Sequence, residues 1–186
     1  IFLMARVSPL LTPTAGLFIA SIGTITMLLG AFAAIFQYDI KKVLAYSTIS
    51  QIGMMVAGMG IGAVGGTLFH LTTHAFFKAG LFLCAGAVIH HCHHEQDMRK
   101  MGDLSSKIPM IFLAYIICGG AMIGLPFSAG YLSKEALINA SINYGYTPGT
   151  IVDKKIIVPV MLLFSSFLTV FYVIRQYVMV FLERQE

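Results

Sequence analysis

Two histidines and a lysine stand at helical spacing within a long apolar segment. His70, His74 and Lys78 occupy positions i, i+4 and i+8, so they share one face of an α-helix. A charge at the centre of a bilayer costs about 2.5 to more than 10 kcal/mol and is usually tolerated only inside a bundle or in a wet cavity. Imidazole titrates near neutrality, and a buried lysine loses its proton readily. The spacing favours a proton relay over polar packing with a lysine that reaches the surface.

A second titratable pair follows two helix-breaking residues. Pro126 lacks a backbone donor and Gly130 leaves helical geometry easily, and Lys134 and Glu135 come shortly afterwards. The pattern predicts a broken helix near Pro126–Gly130 at membrane depth, an arrangement that transporters use for ion sites. Glu135 would then be the countercharge of Lys134. A short loop with an exposed ion pair fits the same residues equally well.

The segment before the histidine helix also contains polar and small residues. Hydroxyl and amide side chains between Tyr46 and Gln51 could line a hydrated path, but such groups also join helices in lipid, and we interpret them as packing residues. Gly58, Gly62 and Gly66 recur every four residues and predict a face for close helix contact.

The densest run of possible metal ligands is His90–His94, which contains four histidines and Cys92. His and Cys are good ligands for zinc or copper. Adjacent side chains point in different directions, however, and the predicted loops contain no second group of ligands. We therefore expect no metal site and interpret the run as a polar helix end.

The elements that must position these residues are membrane helices. The 186 residues are 58% hydrophobic and 11% charged, against about 45–50% and about 25% in soluble domains. Four windows without a charged residue approach or exceed the roughly 20 residues of a membrane span. They lie between Arg6 and Asp39, Lys42 and Lys78, Lys107 and Lys134, and Lys155 and Arg175. This composition excludes a soluble enzyme, a disordered chain and a nucleic-acid-binding protein.

We predict an all-α, polytopic bundle of about six transmembrane helices that forms one membrane domain over residues 1–186. Strands of a membrane barrel would be shorter, at about ten alternating residues. The predicted segments are 15–37, 43–64, 66–89, 109–126, 126–144 and 156–182. Both ends of the sequence look cut from a longer chain.

The basic residues predict an orientation. If all six segments cross, loops 38–42, 90–108 and 145–155 share one side. These loops hold Lys41, Lys42, Arg99, Lys100, Lys107, Lys154 and Lys155, and the other side holds Arg6, Arg184 and Arg175. The richer side is expected to be cytoplasmic, or to face the matrix in a mitochondrion.

Together these motifs resemble the antiporter-like subunits of respiratory complex I. The similar stretches cover most of the chain in order: Asp39–Gly53, His70–Lys78, His94–Gly102, Gly124–Phe127 and Gly130–Glu135. The loop 94–102 resembles the corresponding loop of one branch of this family, which is called subunit L in bacteria and subunit 5 in mitochondria. Asp103 stands where a second glycine is usual in that loop.

The resemblance implies a proton-translocating subunit of NADH:quinone oxidoreductase, in a bacterial cell membrane or the mitochondrial inner membrane. Family roles carry over to His70, His74 and Lys78 as residues of a central hydrophilic axis, to Lys134 as its terminal lysine, and to Lys42 as a further residue of the same axis. A paired glutamate and lysine of the family would lie before Ile1, so this sequence would hold half of a channel.

The resemblance also implies which molecules surround the chain. It implies no cofactor and no redox centre here, because NADH, FMN, iron–sulfur clusters and quinone belong to other subunits. The implied partners are other membrane subunits of the complex, the lipid bilayer and protons, but not nucleic acid.

Three alternatives remain open. A subunit of a multi-subunit Na⁺/H⁺ antiporter would share the histidine–lysine helix and the broken lysine helix. A subunit of a membrane-bound hydrogenase would share them too, and neither is expected to contain the loop 94–102. A structural scaffold would have no proton path, and substitution of Lys78 would distinguish it from all the others.

Overall fold

The computed structural model describes residues 1–145 and 156–182, which are helical and contain no β-strand beyond an isolated bridge between Asp39 and Asp97. The helices are α1 Phe2–Val7, α2 Pro13–Phe36, α3 Ile40–Gly60, α4 Val64–His91, α5 Leu104–Lys107, α6 Pro109–Ile123, α7 Ala129–Gly145 and α8 Ile157–Tyr177. A π-helical turn, Val178–Leu182, extends α8. The predicted all-α membrane bundle is confirmed.

Local sequence explains where several helices begin and end. Thr12 accepts a hydrogen bond from the Ala15 backbone N–H at the start of α2. Asp39 caps α3 by accepting from the N–H groups of Lys41 and Lys42 at 2.9 and 3.2 Å. Such caps satisfy backbone donors that have no partner within the helix. Gly124 ends α6 with a φ of +90°, a conformation that glycine adopts without strain.

Four helices, α2, α3, α4 and α8, are long and apolar enough to cross a membrane. The other two long helices, α6 and α7, have 15 and 17 residues, fewer than the roughly 20 that a span needs. Both pack along α4. Along α4 from its C-terminal to its N-terminal half, Gly80 lies against Cys118 of α6, Thr73 lies against Ser133 of α7, and Gly66 lies against Ala136 of α7. The two helices therefore follow one another antiparallel to α4, as one interrupted path.

The interruption confirms the predicted broken helix and places it more exactly along the chain. Residues 124–128 leave helical geometry, and Phe127 has a φ of +68°. Gly130, which we expected to interrupt the second half, lies within α7 instead. A side chain there would collide with the backbone of Ala121 on α6, so its role is close packing of the two half-helices.

Where six crossings were predicted, the residues that the structure describes form four helices long and apolar enough to span a membrane and one interrupted path made of α6 and α7. The bundle end that holds residues 37–42 and 92–108, here called the basic end, is closed by two backbone hydrogen bonds. Ile40 N–H donates to Gln96 O at 3.1 Å, and Met98 N–H donates to Tyr38 O at 2.8 Å. At the opposite end, Tyr144 lines a pocket with residues 59–62 and 11–14. The end of α7 therefore lies opposite the basic end, which the six-crossing prediction did not allow.

The charge asymmetry survives this correction. Within residues 1–145 and 156–182, the basic end carries Lys41, Lys42, Arg99, Lys100, Lys107 and Arg175, and Arg6 precedes α2 at the opposite end. Arg175 was expected on the opposite side, but its guanidinium donates to the carbonyls of Ile35 and Gln37. Lys154, Lys155 and Arg184 lie outside the described residues.

Close packing between α2 and α3 depends on glycines that recur every seven residues along each helix, namely Gly16, Gly23 and Gly30 on α2 and Gly53 and Gly60 on α3. A Cβ on Gly23 would collide with the backbone of Ala57, and one on Gly53 would collide with that of Met27. The predicted face of Gly58, Gly62 and Gly66 is not formed, because Gly62 lies in the turn between α3 and α4 with a φ of +80°.

Candidate proton-transfer site

The inner face of α4 carries the predicted relay residues. His70, His74 and Lys78 expose 0%, 7% and 5% of their surface. They face α3 and α7, which contribute Gln51, Ser47, Ser133 and Lys134, all buried as well. We call these seven residues the axis.

His70 joins three helices. Its Nε2 lies 3.1 Å from Gln51 Oε1 on α3, and its Nδ1 lies 2.9 Å from Ser133 Oγ on α7. The amide oxygen of Gln51 can only accept, so Nε2 carries a proton and a neutral ring accepts from the Ser133 hydroxyl at Nδ1. A protonated ring would instead donate from Nδ1 to Ser133, whose hydroxyl can then donate to Gly130 O at 3.2 Å. The Ser133 hydroxyl therefore has one orientation for each protonation state of His70.

His74 continues the line one helical turn further along α4. Its ring centroid lies 6.1 Å from that of His70 and 5.3 Å from that of Phe77, against which it packs edge-on. Its Nε2 is buried and has no hydrogen-bond partner among the described residues. A buried nitrogen without a partner is costly unless water or an exchanging proton reaches it.

Lys78 is held by neutral oxygens. Its Nζ donates to Leu44 O at 3.0 Å and to the Ser47 hydroxyl, both on α3. The ion pairs formed within residues 1–145 and 156–182 are Arg99 with Asp97 and Lys100 with Glu95. Lys78 therefore has no carboxylate partner in this part of the chain.

Lys134 uses the helix break directly. Its Nζ donates to Met122 O at 2.7 Å and to Ile123 O at 3.4 Å, carbonyls at the C-terminal end of α6. Such carbonyls lack a partner within their own helix and carry the negative end of the helix dipole. The break thus supplies Lys134 with acceptors that no neighbouring side chain provides.

Glu135 does not form the expected contact with Lys134. Neighbouring residues of a helix project about 100° apart, so with Lys134 buried the side chain of Glu135 is exposed. It interacts with the Tyr131 hydroxyl on the same outer face of α7. The structure therefore corrects the prediction that Glu135 is the countercharge of Lys134.

The four basic side chains of the axis lie within electrostatic reach of one another. Lys134 interacts with His70, His74 and Lys78, and Lys78 also interacts with His74. Like charges repel strongly where water is excluded, so a proton on one group disfavours a proton on the next. The arrangement therefore disfavours several simultaneous positive charges on the axis.

Lys42 lies apart from the axis. It is exposed and lines a cavity of about 620 Å³ at the basic end, together with Gln37, Asp39, His94 and other residues of the loop 94–100. The structure therefore places it beside an opening to solvent and does not bring it together with Lys78.

The loop that closes the basic end is held by surface charges. Arg99 pairs with Asp97 at 2.7 Å and holds the pKa of that carboxyl at about 2, below its usual value of 3.8. The Tyr38 ring lies between the guanidinium groups of Arg99 and Arg175, at 4.4 and 4.6 Å from its centroid. Asp103 adopts a φ of +52°, which glycine favours and aspartate tolerates.

The histidines of His90–His94 are exposed. His90 and His94 approach with ring centroids 5.8 Å apart. No group of three His, Cys, Asp or Glu side chains that could hold a metal is present in the described part of the chain. The expectation that this run binds no metal stays a prediction.

A sequence profile of the family described as NADH:quinone oxidoreductase/Mrp antiporter, TM, matches residues 1–154. The chain belongs to this family. Its match contains α4, the helix break and Lys134, and ends before α8.

Curated relatives show which branch of the family this chain resembles. NADH-quinone oxidoreductase subunit L of Neisseria meningitidis serogroup A is 43% identical over 183 residues, which are 97% of this chain and 26% of the relative. The Escherichia coli K12 subunit L is 45% identical over 149 residues, 78% of this chain and 24% of that protein. NADH-ubiquinone oxidoreductase chain 5 of Allomyces macrogynus is 42% identical over 152 residues, with coverages of 81% and 23%. The resemblance to this branch is confirmed, and the chain spans about a quarter of the length of these relatives.

Solved structures share the fold. The Mrp complex of Dietzia sp. DQ12-45-1b contains a chain that matches with a TM-score of 0.82 and 22% identity, over 94% of this chain and 31% of that one. The archaeal membrane-bound sulfane sulfur reductase contains one with a TM-score of 0.80 and 30% identity, with coverages of 93% and 28%. Both belong to multi-subunit membrane complexes, and this likeness confirms the membrane bundle.

Several site residues were missed or misread from the sequence. Gln51 was interpreted as a packing residue, yet it is the Nε2 partner of His70. Ser133 precedes Lys134 and carried no motif of its own. Thr169, the further partner of Gln51 at 3.5 Å, is a polar residue within an apolar span, and that contrast was the available signal.

Proposed function

We propose that this chain is part of a proton-translocating membrane subunit of NADH:quinone oxidoreductase, and that protons pass along the axis, driven by electron transfer elsewhere in the complex. The observation that supports this most directly is the pairing of buried lysines with neutral oxygens. Lys78 and Lys134 are both almost fully buried and donate to carbonyl or hydroxyl groups. A lysine without a carboxylate partner can release its proton without leaving an unpaired buried anion.

His70 can pass a proton from one helix to another. It receives a proton at Nδ1 from the Ser133 hydroxyl, whose oxygen is reprotonated by water. It releases one from Nε2 to water that would lie beside Gln51, because the amide oxygen accepts a hydrogen bond but does not keep a proton. One proton enters as another leaves, so the ring is neutral before and after the transfer. His74, whose Nε2 is unpartnered, provides the neighbouring exchange position.

The break between α6 and α7 gives Lys134 two states. Its ammonium is stabilised while Met122 O and Ile123 O point at Nζ. A small shift of α6 relative to α7 would remove these acceptors and favour release of the proton. The proposed coupling therefore acts on a helix junction rather than on an ion pair.

The implied surroundings follow from this assignment. NADH, FMN, iron–sulfur clusters and quinone would belong to other subunits, and the chain would contact other membrane subunits. The relatives come from bacteria and mitochondria, so the proposed location is the bacterial cell membrane or the mitochondrial inner membrane.

The second candidate is Na⁺/H⁺ exchange in a multi-subunit antiporter, favoured by the shared fold and by the Mrp part of the family description. Na⁺ is a hard cation for which oxygen ligands, carboxylates above all, are suitable. The axis contains four basic groups and no carboxylate. Its composition therefore favours protons over Na⁺.

Substitution of Lys78 tests the proposal. In the full-length subunit, assembled in its complex and reconstituted in vesicles, Lys78→Ala should lower NADH-driven proton uptake about 100-fold or more, because a proton carrier has been removed. The exposed Lys107 is the matched control, and Lys107→Ala should retain wild-type uptake. Wild-type proton-to-electron ratios in Lys78→Ala would show that the histidine–lysine stripe is structural. Uptake that requires Na⁺ would favour the antiporter.

A further inference from the structure

A second buried polar face lies on α8, beyond the region that the family profile matches. Thr169, Tyr172 and Gln176 follow at i, i+3 and i+7, so they share one side of the helix. They expose 0%, 1% and 1% of their surface in a predominantly apolar span. Polar side chains in such a position are expensive, and in membrane proteins they commonly mark a transfer path.

Tyr172 lies where two parts of the axis meet. Its hydroxyl is beside Ser47, Gln51 and Thr169. Ser47 is the side-chain partner of Lys78, and Gln51 is the partner of His70. Tyr172 therefore lies between the partner of the lysine and the partner of the histidine.

Two atoms of this face have no hydrogen-bond partner of good geometry. The Tyr172 hydroxyl and Gln176 Oε1 are buried and have no partner that meets hydrogen-bond geometry among the described residues. Buried polar groups that no protein atom satisfies are typically bridged by ordered water. A hydroxyl and an amide oxygen one helical turn apart form a polar lining suited to such water.

Gln176 extends the face to the basic end. Its Nε2 donates to Ile40 O at 3.3 Å. Asp39, the residue that precedes Ile40 in the chain, lines the solvent-open cavity at the basic end. From Gln51 to Ile40 the path along α3 is about 16 Å, too long for one hydrogen bond. Tyr172 and Gln176 divide that length into shorter steps.

We propose that Tyr172 and Gln176 form a proton-exchange branch between the cavity at the basic end and the junction of Lys78 with His70. Water bound at Gln176 Oε1 donates a proton to the Tyr172 oxygen while the Tyr172 hydroxyl passes its own proton to the Ser47 oxygen, and the Ser47 hydroxyl passes its proton to a neutral Lys78 Nζ. The water regains a proton from the solvent of the cavity, so Lys78 gains one proton in all. One O–H bond forms as another breaks, and Tyr172 is neutral before and after. The inference rests on the proposed function of the axis, since a branch has no purpose without it.

The test compares two buried tyrosines in the assembled complex. Tyr172→Phe removes one oxygen and keeps the ring, and should slow NADH-driven proton uptake and coupled NADH oxidation roughly tenfold, with an increased solvent deuterium isotope effect. Tyr115→Phe is the matched control, because Tyr115 is equally buried and its hydroxyl is also unpartnered, but it packs against α8 away from the axis. Tyr115→Phe should leave uptake and the isotope effect unchanged.

A second variant keeps the test independent of one substitution. Gln176→Leu removes the water-binding oxygen at similar volume and should reproduce the slower uptake and the larger isotope effect. If Tyr172→Phe and Gln176→Leu both behave as Tyr115→Phe does while Lys78→Ala loses uptake, the branch is refuted and the proposed function stands. If Lys78→Ala also retains wild-type uptake, the proposed function fails and the branch with it.

Discussion

The axis and the segment His90–Lys100 both concentrate titratable side chains, but they hold them in opposite ways. The loop is exposed, and its basic residues Arg99 and Lys100 each pair with a carboxylate. The axis is buried, and Lys78 and Lys134 each donate to neutral oxygens. A carboxylate retains a proton on its partner, whereas a carbonyl leaves the proton free to depart when geometry changes. The number of titratable residues is therefore a poorer guide to proton transfer than burial without a countercharge.

The largest expected effect is at Lys134. Lys134→Met keeps a long apolar stem and removes the amine, so NADH-driven proton uptake in reconstituted vesicles should fall about 100-fold or more. Glu135→Gln is the matched control, because that carboxylate is exposed on the outer face of α7. Its uptake should equal that of the wild type. A loss of uptake in Glu135→Gln as large as in Lys134→Met would show that proton uptake depends on an ion pair between Lys134 and Glu135.

A smaller loss is expected from the histidines. The double substitution His70→Ala and His74→Ala removes the rings between α3 and α7 and should lower uptake roughly tenfold or more, since water can partly fill the space that they leave. Assembly of the complex, measured on native gels, should be unchanged. Normal proton-to-electron ratios in the double variant would show that these rings only pack.

Much of the fold was predictable because hydropathy reports spans directly. The six predicted segments correspond in order to α2, α3, α4, α6, α7 and α8. The sequence predicted the break near Pro126–Gly130 but counted the segments on either side of it as separate crossings, since only packing along α4 shows that α6 and α7 follow one another as one path. The prediction of six crossings failed for that reason.

The site was predictable only where one helix carries it. The spacing of His70, His74 and Lys78 predicted a shared face because helical periodicity is local. The partners on α3 and α7 depend on how helices pack, so Gln51 was misread and Ser133 was missed. The acceptors of Lys134 are backbone carbonyls of α6. Every residue has such a carbonyl, so residue types could not identify these acceptors, and the adjacent Glu135 was predicted as the partner of Lys134 instead.

The smallest expected effect on proton uptake is from substitutions in the run His90–His94. His91→Ala with His93→Ala should leave proton uptake unchanged, because both side chains are exposed and distant in sequence from the axis. Metal analysis of the purified complex before and after this change should show the same zinc and copper content. Loss of one metal per chain in the variant would overturn the prediction and make this segment a metal site.

The most direct test of the central claim is NADH-driven proton uptake by a complex that carries Lys134→Arg. Guanidinium keeps the positive charge and can donate to Met122 O and Ile123 O, but it is not deprotonated in proteins. If Lys134 carries protons, the variant should assemble normally and pump almost as poorly as Lys134→Met. Full pumping by Lys134→Arg would show that only the positive charge matters, and the proton-carrier role of the buried lysine would then be rejected.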